Sequence, residues 1–220
     1  MSELFSIQLQ NRQQQGRDGV WLDLPTTTEQ VQAALRQIGI SSDNPQGLFI
    51  SGYFAEEEKR FAIPYNMVLA SNVDELNFLA SRLETLSTGE RAELNAALQA
   101  PQSELSSIGR ITDFPENVDY YVHLPDVHGP AQLGDYYLNR SGMVDMPEEW
   151  KGGIDTAQFG RYVAQQEQGA FTQYGYLVKS GDEWQKVHEG QPVPEEYRVL
   201  SFPAPEVLAR FGQHPAACSA

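Results

Sequence analysis

The stretch from Asn117 to Tyr176 combines closely spaced aromatic residues with acidic side chains. It opens with an aromatic run typical of a strand, Val118 to Leu124, which Pro125 ends. Two amphipathic helical segments follow, with a Pro-Glu-Glu turn between them. Because aromatic side chains need a core and carboxylates stay in water, this pattern predicts a firm scaffold that presents negative charge outward.

The charge of the chain is strongly unbalanced, with 30 acidic and 15 basic residues. Residues 116–198 alone contain 14 acidic and 6 basic residues, so about half of the net charge of −15 lies there. This balance makes binding to nucleic acid or to an anionic membrane unfavourable. Solubility or adaptation to salt explains it equally well. With 10 Tyr, 10 Phe and 3 Trp, however, the chain is not a disordered acidic tail.

Nothing in the sequence indicates a membrane or an exported protein. No apolar run approaches the length of a membrane span, and the N-terminus lacks a basic region followed by an apolar stretch. The single cysteine, Cys218, has no internal partner for a disulfide. We therefore expect a cytoplasmic protein.

Local patterns predict the elements of the first half. Alternating apolar residues and turn signals predict strands at residues 4–10, Val20–Leu24 and Leu48–Phe54. Capping boxes, in which a polar residue is followed by Glu three positions later, predict helices that begin after Thr26, Asn72 and Ser87. Ser103 is expected to cap a further short helix that includes Ile108.

The second half is expected to mix helices and strands. After the strand at Val118–Leu124, the elements are a helix from Pro130 to Asn139, a helical turn at Pro147, a helix capped by Asp155, a hairpin of Tyr174–Lys179 with Glu183–His188, and a final helix at Pro205–Phe211. The fold class is therefore α+β, in three small consecutive units. These are a β-rich unit with one helix (1–66), a helical unit (67–113) and a mixed α/β unit (114–220).

The sequence nominates no active site. Phosphate-binding glycine loops and a Gly-x-Ser-x-Gly elbow are absent. His123, Asp126 and His128 are a conceivable metal site, but surface histidines explain them better because no second cluster supports a metal. We therefore expect a protein that is not an enzyme and has no catalytic residue, cofactor or metal.

Several short motifs follow one another along the chain. They are Trp21-Leu22-Asp23-Leu24-Pro25, Asp74-Glu75-Leu76-Asn77, Asn117-Val118-Asp119-x-Tyr121, Leu133-Gly134-x-Tyr136-Tyr137, Pro147-Glu148, Ile154-Asp155, Phe159-Gly160-Arg161, Ala164-x-x-Glu167-x-Gly169-x-Phe171-Thr172 and Gly175-Tyr176. In their order and spacing these motifs resemble those of the ArdA antirestriction proteins, and the resemblance covers residues 4–178.

This resemblance implies a mimic of DNA. Members of the family are elongated, consist of three small units and dimerise through the C-terminal one. Their carboxylates imitate the phosphates of DNA and occupy the DNA-binding groove of type I restriction-modification enzymes. They travel on plasmids and other mobile genetic elements and protect DNA that enters by conjugation. The alternative is an acidic interaction protein of the same fold that binds another basic DNA-binding protein or regulator.

The charge arithmetic supports dimerisation. Duplex DNA carries one charge per about 1.7 Å, so the 30 carboxylates would stand in for about 50 Å of duplex. A groove that holds a two-part recognition site is longer than this, which favours two subunits end to end.

The acids expected to imitate phosphates lie in the third unit and are Asp119, Asp126, Asp135, Asp145, Glu148, Glu149, Asp155 and Glu167. Asp155 has the weakest claim, since a helix cap already explains it. The chain departs from the family at the middle helices, which carry Arg82 and Arg91, and at Asn139-Arg140-Ser141, where acids are expected.

Overall fold

Two three-stranded antiparallel sheets and eight α-helices make up the described part of the chain. A computed structural model describes residues 3–14, 18–41, 47–56, 61–101 and 103–200. The predicted α+β class is confirmed. The helix predicted at Pro205–Phe211 lies outside the described residues. No helix in these ranges is both long and apolar enough to span a bilayer.

The first sheet contains strands β1 (Phe5–Asn11), β2 (Val20–Leu24) and β3 (Leu48–Phe54), in the order β2-β1-β3. The predicted alternation is confirmed, since Phe5, Ile7 and Leu9 of β1 are buried. Helix α1 (Thr28–Gln37) follows β2 and buries its apolar residues Val31, Ala34 and Leu35.

The capping box predicted at Thr26 and Glu29 is wrong by one residue. Thr27 is the N-cap, and its partner is Gln30. Thr26 is buried instead, and its backbone N–H donates to Asn77 Oδ1 at 2.7 Å. This tertiary contact therefore holds Thr26, and α1 begins one residue later than predicted.

Helices α2 (Tyr65–Leu69), α3 (Val73–Glu84), α4 (Thr88–Gln99) and α5 (Ile108–Thr112) follow β3. The capping boxes predicted at Asn72 and Ser87 are both confirmed. The cap predicted at Ser103 is wrong, because Ser107 caps α5. Ser103 Oγ accepts from Leu105 N–H at 3.1 Å, which makes it a turn residue rather than a helix cap.

The second sheet contains β4 (Tyr121–Leu124), β5 (Ala170–Thr172) and β6 (Gly175–Lys179), in the order β4-β6-β5. The strand predicted from Val118 is shorter than expected, because residues 118–120 form a 3-10 turn. Strand β4 pairs with β6 over only four residues.

Three helices lie between β4 and β5. They are α6 (Pro130–Asp135), α7 (Glu148–Lys151) and α8 (Thr156–Glu167). A π-helical turn, Tyr136–Arg140, extends α6. Helices α6 and α8 touch at two glycines. A Cβ on Gly134 would lie 1.9 Å from the Thr156 carbonyl oxygen, and one on Gly160 would lie 1.8 Å from that of Pro130. Only glycine permits so close an approach.

The hairpin predicted for Tyr174–Lys179 with Glu183–His188 is wrong. Strand β6 pairs with β4 and β5, and residues 183–188 form no strand. Side chains hold this segment instead. Asn117 exchanges two hydrogen bonds with the backbone of Gln185, and Asp113 accepts from His188 N–H at 2.6 Å and Glu189 N–H at 3.2 Å.

Residues 184–200, which we name the C-terminal strap, cross the middle helices. Asn77 donates to the Tyr197 carbonyl at 3.0 Å, and Asp74 accepts from Val199 N–H and Leu200 N–H at 2.7 and 2.8 Å. Since Asn77 also accepts from Thr26, one buried side chain connects the first sheet, the middle helices and the strap.

Two hydrophobic clusters lie inside the described part of the protein. The larger one extends from Leu4 to Val199 and includes residues of the first sheet, the middle helices and β4. The smaller one contains Val127, Leu133, Ala164 and Tyr176, beneath α6 and α8. The division into units 1–66, 67–113 and 114–220 stays a prediction.

Candidate interaction surface

Six of the eight predicted acids are exposed. They are Asp119, Asp126, Asp145, Glu148, Glu149 and Asp155. Asp135 and Glu167 are half-buried. All eight lie between the 3-10 turn before β4 and the end of α8. These six exposed acids are together named the acidic surface below.

Glu167 has a structural role at the end of α8. Its carboxylate accepts hydrogen bonds from the hydroxyls of Tyr137, at 2.5 Å, and Tyr176, at 2.9 Å. Burial, followed by these hydrogen bonds to Glu167, raises the pKa of both tyrosines above the ordinary value. Glu167 thus connects α8 to the π-turn and to β6, a role that its spacing in the sequence did not reveal.

Three other predicted acids have partners on their own elements. Asp135 accepts from Asn139 at 2.8 Å and from Arg140 at 2.7 Å, and these hydrogen bonds lower the pKa of its carboxyl. Glu148 pairs with Lys151 at 2.9 Å. Asp155 caps α8 as predicted, accepting from the backbone N–H groups of residues 157 and 158.

The other exposed acids point to water. Within the described ranges, the side chains of four exposed acids form neither a hydrogen bond nor an ion pair: Asp119, Asp126, Asp145 and Glu149. A carboxylate in this position is open to a partner. The sequence pattern correctly placed these four acids at the surface.

Three basic residues of α5, β6 and the strap pair with acids of the same chain. Arg110 pairs with Glu104 at 2.6 Å and with Glu189 at 2.9 Å. Lys179 also pairs with Glu104, at 2.7 Å, and Lys186 lies 3.4 Å from Glu189. These pairs offset positive charge between α5, β6 and the strap. Arg161 of α8 is exposed and forms no ion pair within the described residues.

The two arginines of the middle helices are also engaged. Arg82 forms an ion pair with Glu116. Arg91 donates through Nε to the Leu86 carbonyl at 3.1 Å, and its guanidinium lies 5.4 Å from the centre of the Phe61 ring. Arg91 therefore satisfies a carbonyl just beyond α3, where a cation is favoured by the helix dipole.

Glu93 of α4 was not predicted as a special site. Its Oε1 atom is buried and has no hydrogen-bond partner among the described residues. Burial, with smaller contributions from the nearby charges of Glu90 and Asp119, raises the pKa of its carboxyl from 4.5 to about 8. Glu93 is therefore mostly neutral at pH 7 and adds little to the surface charge.

Replacing Glu93 with glutamine is expected to stabilise the fold at about pH 8.5 and to have no effect at about pH 4. In the wild type the unfolded chain loses this proton near its ordinary pKa of 4.5, whereas the folded chain keeps it up to about 8. Stability therefore falls as the pH rises between these values. Allowing for solvent screening, the gain above pH 8 is about 1–2 kcal/mol. Thermal unfolding at both pH values measures it, with the exposed Glu149→Gln as the control; an equal effect at both pH values contradicts it.

The acids and the histidine that line the cavity beside the strap have structural roles. A cavity of about 690 Å³ lies between α2, α3, α5 and the strap. Its Glu75 belongs to a capping box, its Glu189 pairs with Arg110, and its His188 packs edge-on against Phe78. Among the described residues no group of three or more His, Cys, Asp or Glu is placed to hold a metal ion. His123 instead contacts the Tyr174 carbonyl at 2.7 Å.

The fold and surface define an acidic α+β protein with exposed carboxylates. The family model described as "Antirestriction protein (ArdA)" matches residues 15–178, and the chain belongs to this family. The resemblance found in the sequence is confirmed. No curated protein matches the chain significantly. Membership implies an antirestriction function and interaction with restriction enzymes, in a family of inhibitors rather than enzymes.

Proposed function

We propose that this protein inhibits a type I restriction-modification enzyme by occupying its DNA-binding groove. Exposed carboxylates take the place of DNA phosphates, and no catalysis, cofactor or metal is involved. The observation that supports this best is the acidic surface itself, because four of its six acids have no hydrogen-bond or ion-pair partner within the described residues. The proposed site of action is the cytoplasm, where restriction enzymes meet incoming DNA.

The mechanism follows from the character of the target groove. A groove that binds duplex DNA presents Lys and Arg toward phosphates, and binding releases the counterions that surround the DNA. A protein that presents carboxylates to the same cations competes with DNA directly. Because the attraction is shared among many charges, no single acid is indispensable.

Protection of unmodified DNA is the direct test. The purified protein is expected to prevent cleavage by a type I enzyme, and duplex DNA with the recognition sequence is expected to displace it from the enzyme. Binding is expected to weaken steeply as salt increases, because screening shortens the range of the attraction. A chain that binds a different basic DNA-binding protein, and leaves type I cleavage unchanged, would support the alternative interaction partner.

We also propose a homodimer formed through residues 114–220. Met143, Trp150 and Tyr162 are exposed in this part of the chain, and exposed apolar side chains are common at protein interfaces. Two subunits would also extend the acidic surface toward the length of a bipartite DNA site. Analytical ultracentrifugation at micromolar concentration is expected to give twice the monomer mass of 24.6 kDa. A sedimentation profile of monomer alone at this concentration contradicts the dimer.

A further inference from the structure

Three large aromatic side chains are exposed on or beside the outward face of the first sheet. Trp21 of β2 is 50% exposed, Phe54 of β3 is 58% exposed and Tyr65 of α2 is 51% exposed. They lie far along the chain from the acidic surface. Exposed apolar residues scattered singly need no explanation, but adjacent aromatics mark interaction sites.

The three residues are connected across the sheet. Trp21 lies opposite Gln8, and Gln8 lies opposite Gly52 on the other side of β1. The Trp21 indole extends across β1 as far as β3. A Cβ built on Gly52 would lie only 3.1 Å from Trp21 Cη2. The rings of Trp21 and Phe54 meet at 6.5 Å with an angle of 74°, and the Tyr65 hydroxyl donates to the Ser51 carbonyl at 3.2 Å.

A groove with hydrogen-bond acceptors borders the same indole. It has a volume of about 230 Å³ and is lined by β2 residues, including Trp21 and Asp23, and by α1 residues, including Gln30 and Gln37. No Lys or Arg is among the described residues that line it. Asp23 is exposed. Its Oδ1 atom accepts from Ser6 Oγ at 2.6 Å, and its Oδ2 atom takes no part in that hydrogen bond.

An aromatic face beside an exposed carboxylate favours a planar cation. The face of an indole attracts a cation more strongly than other aromatic rings do. A guanidinium also stacks on a ring while its N–H groups donate to neighbouring acceptors, which an ammonium does less well. The net charge of −15 gives the whole chain the complementary sign.

We propose that this face, formed by Trp21, Phe54 and Tyr65 with Asp23, binds an arginine side chain on the surface of a basic partner protein. The proposal rests on the proposed function, in that the partner is the inhibited enzyme. It adds a second contact, made by an aromatic residue in the first sheet, to the charge contacts of the acidic surface. The arginine stacks on Trp21 and donates to Asp23.

Two measurements test this face separately from the function. First, affinity for a type I enzyme is compared for the wild type, Trp21→Ala, Trp21→Phe and the control Gln10→Ala on the same sheet. Trp21→Ala is expected to weaken binding about tenfold, Trp21→Phe by less, and Gln10→Ala by less than about twofold. Far-UV circular dichroism confirms that each variant is folded.

Second, a nona-arginine peptide is titrated into the isotopically labelled chain while the indole N–H signals are followed by NMR. The Trp21 signal is expected to shift, and Trp150 and Trp184 provide internal comparisons. A nona-lysine peptide is expected to shift it less, because an ammonium stacks less well.

The outcomes separate the two proposals. Enzyme binding that is unchanged in Trp21→Ala overturns the arginine contact and leaves the proposed function intact. If the wild type does not bind the enzyme at all, the proposed function fails, and the peptide titration still decides the face: an unmoved Trp21 signal overturns it. A Trp21 shift that depends on the concentration of this chain alone assigns the face to a second copy and also overturns the arginine contact.

Discussion

Neutralising the six acids of the acidic surface together is expected to abolish inhibition of the type I enzyme. The variant carries Asp→Asn at residues 119, 126, 145 and 155 and Glu→Gln at residues 148 and 149. Each exposed charge pair contributes up to about 1 kcal/mol, so six together are worth up to roughly four orders of magnitude in affinity. Each single substitution is expected to weaken binding only a few-fold. Inhibition of DNA cleavage and the dissociation constant, both measured across salt, check these values.

The substitutions preserve the fold by design. Asn is as good an N-cap as Asp, so Asp155→Asn keeps the start of α8. The matched control neutralises four exposed acids of residues 182–196, which lie beyond the family match: Asp182, Glu183, Glu195 and Glu196. We expect this control to retain inhibition. If one substitution alone eliminates activity in a folded variant, or if affinity ignores salt, DNA mimicry is wrong and a localised site carries the function.

Local signals in the sequence were sufficient for many elements of the fold. The capping boxes at Asn72 and Ser87 involve residues only three positions apart, so the sequence contains the whole interaction. The alternation of Phe5, Ile7 and Leu9 likewise reports directly on the buried face of a strand. The family motifs supported the same α+β fold class that these local signals favoured.

The errors in the fold arise where side chains bind a distant backbone. The segment 183–188 alternates like a strand, but Asp113 and Asn117 take its backbone N–H groups and so compete with a sheet. The start of α1 moves because Asn77, about fifty positions later, binds Thr26. Such contacts leave no periodic pattern, and no local rule predicts them.

The same limit applies to the acidic surface. Sequence reasoning placed its exposed members correctly, because carboxylates far from apolar positions stay in water. It could not distinguish Glu167, which accepts from two tyrosine hydroxyls, from an acid that is open to a partner. Nor could it find Glu93, whose raised pKa depends on burial against other elements.

Asp113→Ala is expected to lower the free energy of unfolding by about 3 kcal/mol and to release the C-terminal strap. Asp113 is fully buried, and its two carboxylate oxygens accept from His188 N–H and Glu189 N–H. Hydrogen bonds to a charged group are worth about 1.5–3 kcal/mol each, and alanine leaves both donors without their acceptor. Chemical denaturation measures the loss. The control is Asp182→Ala, at an exposed residue, for which a change below about 0.5 kcal/mol is expected.

Hydrogen exchange distinguishes release of the strap from a general loss of stability. In Asp113→Ala the amides of His188 and Glu189 are expected to lose protection before those of β1, because Asp113 holds them directly. Asp113→Asn keeps one acceptor oxygen, so its free energy of unfolding is expected to lie between those of Asp113→Ala and the wild type. If the amides of His188 and Glu189 stay as protected as those of β1, or if the variant is as stable as Asp182→Ala, then Asp74 and Asn77 hold the strap without Asp113.

The strap begins beyond residue 178, where the family match ends, yet the side chains that hold it lie within the match. Residues 184–200 are therefore part of the folded protein. Truncation before them is expected to lower the free energy of unfolding by more than Asp113→Ala does, because it also removes the partners of Asp74, Asn77 and Asn117.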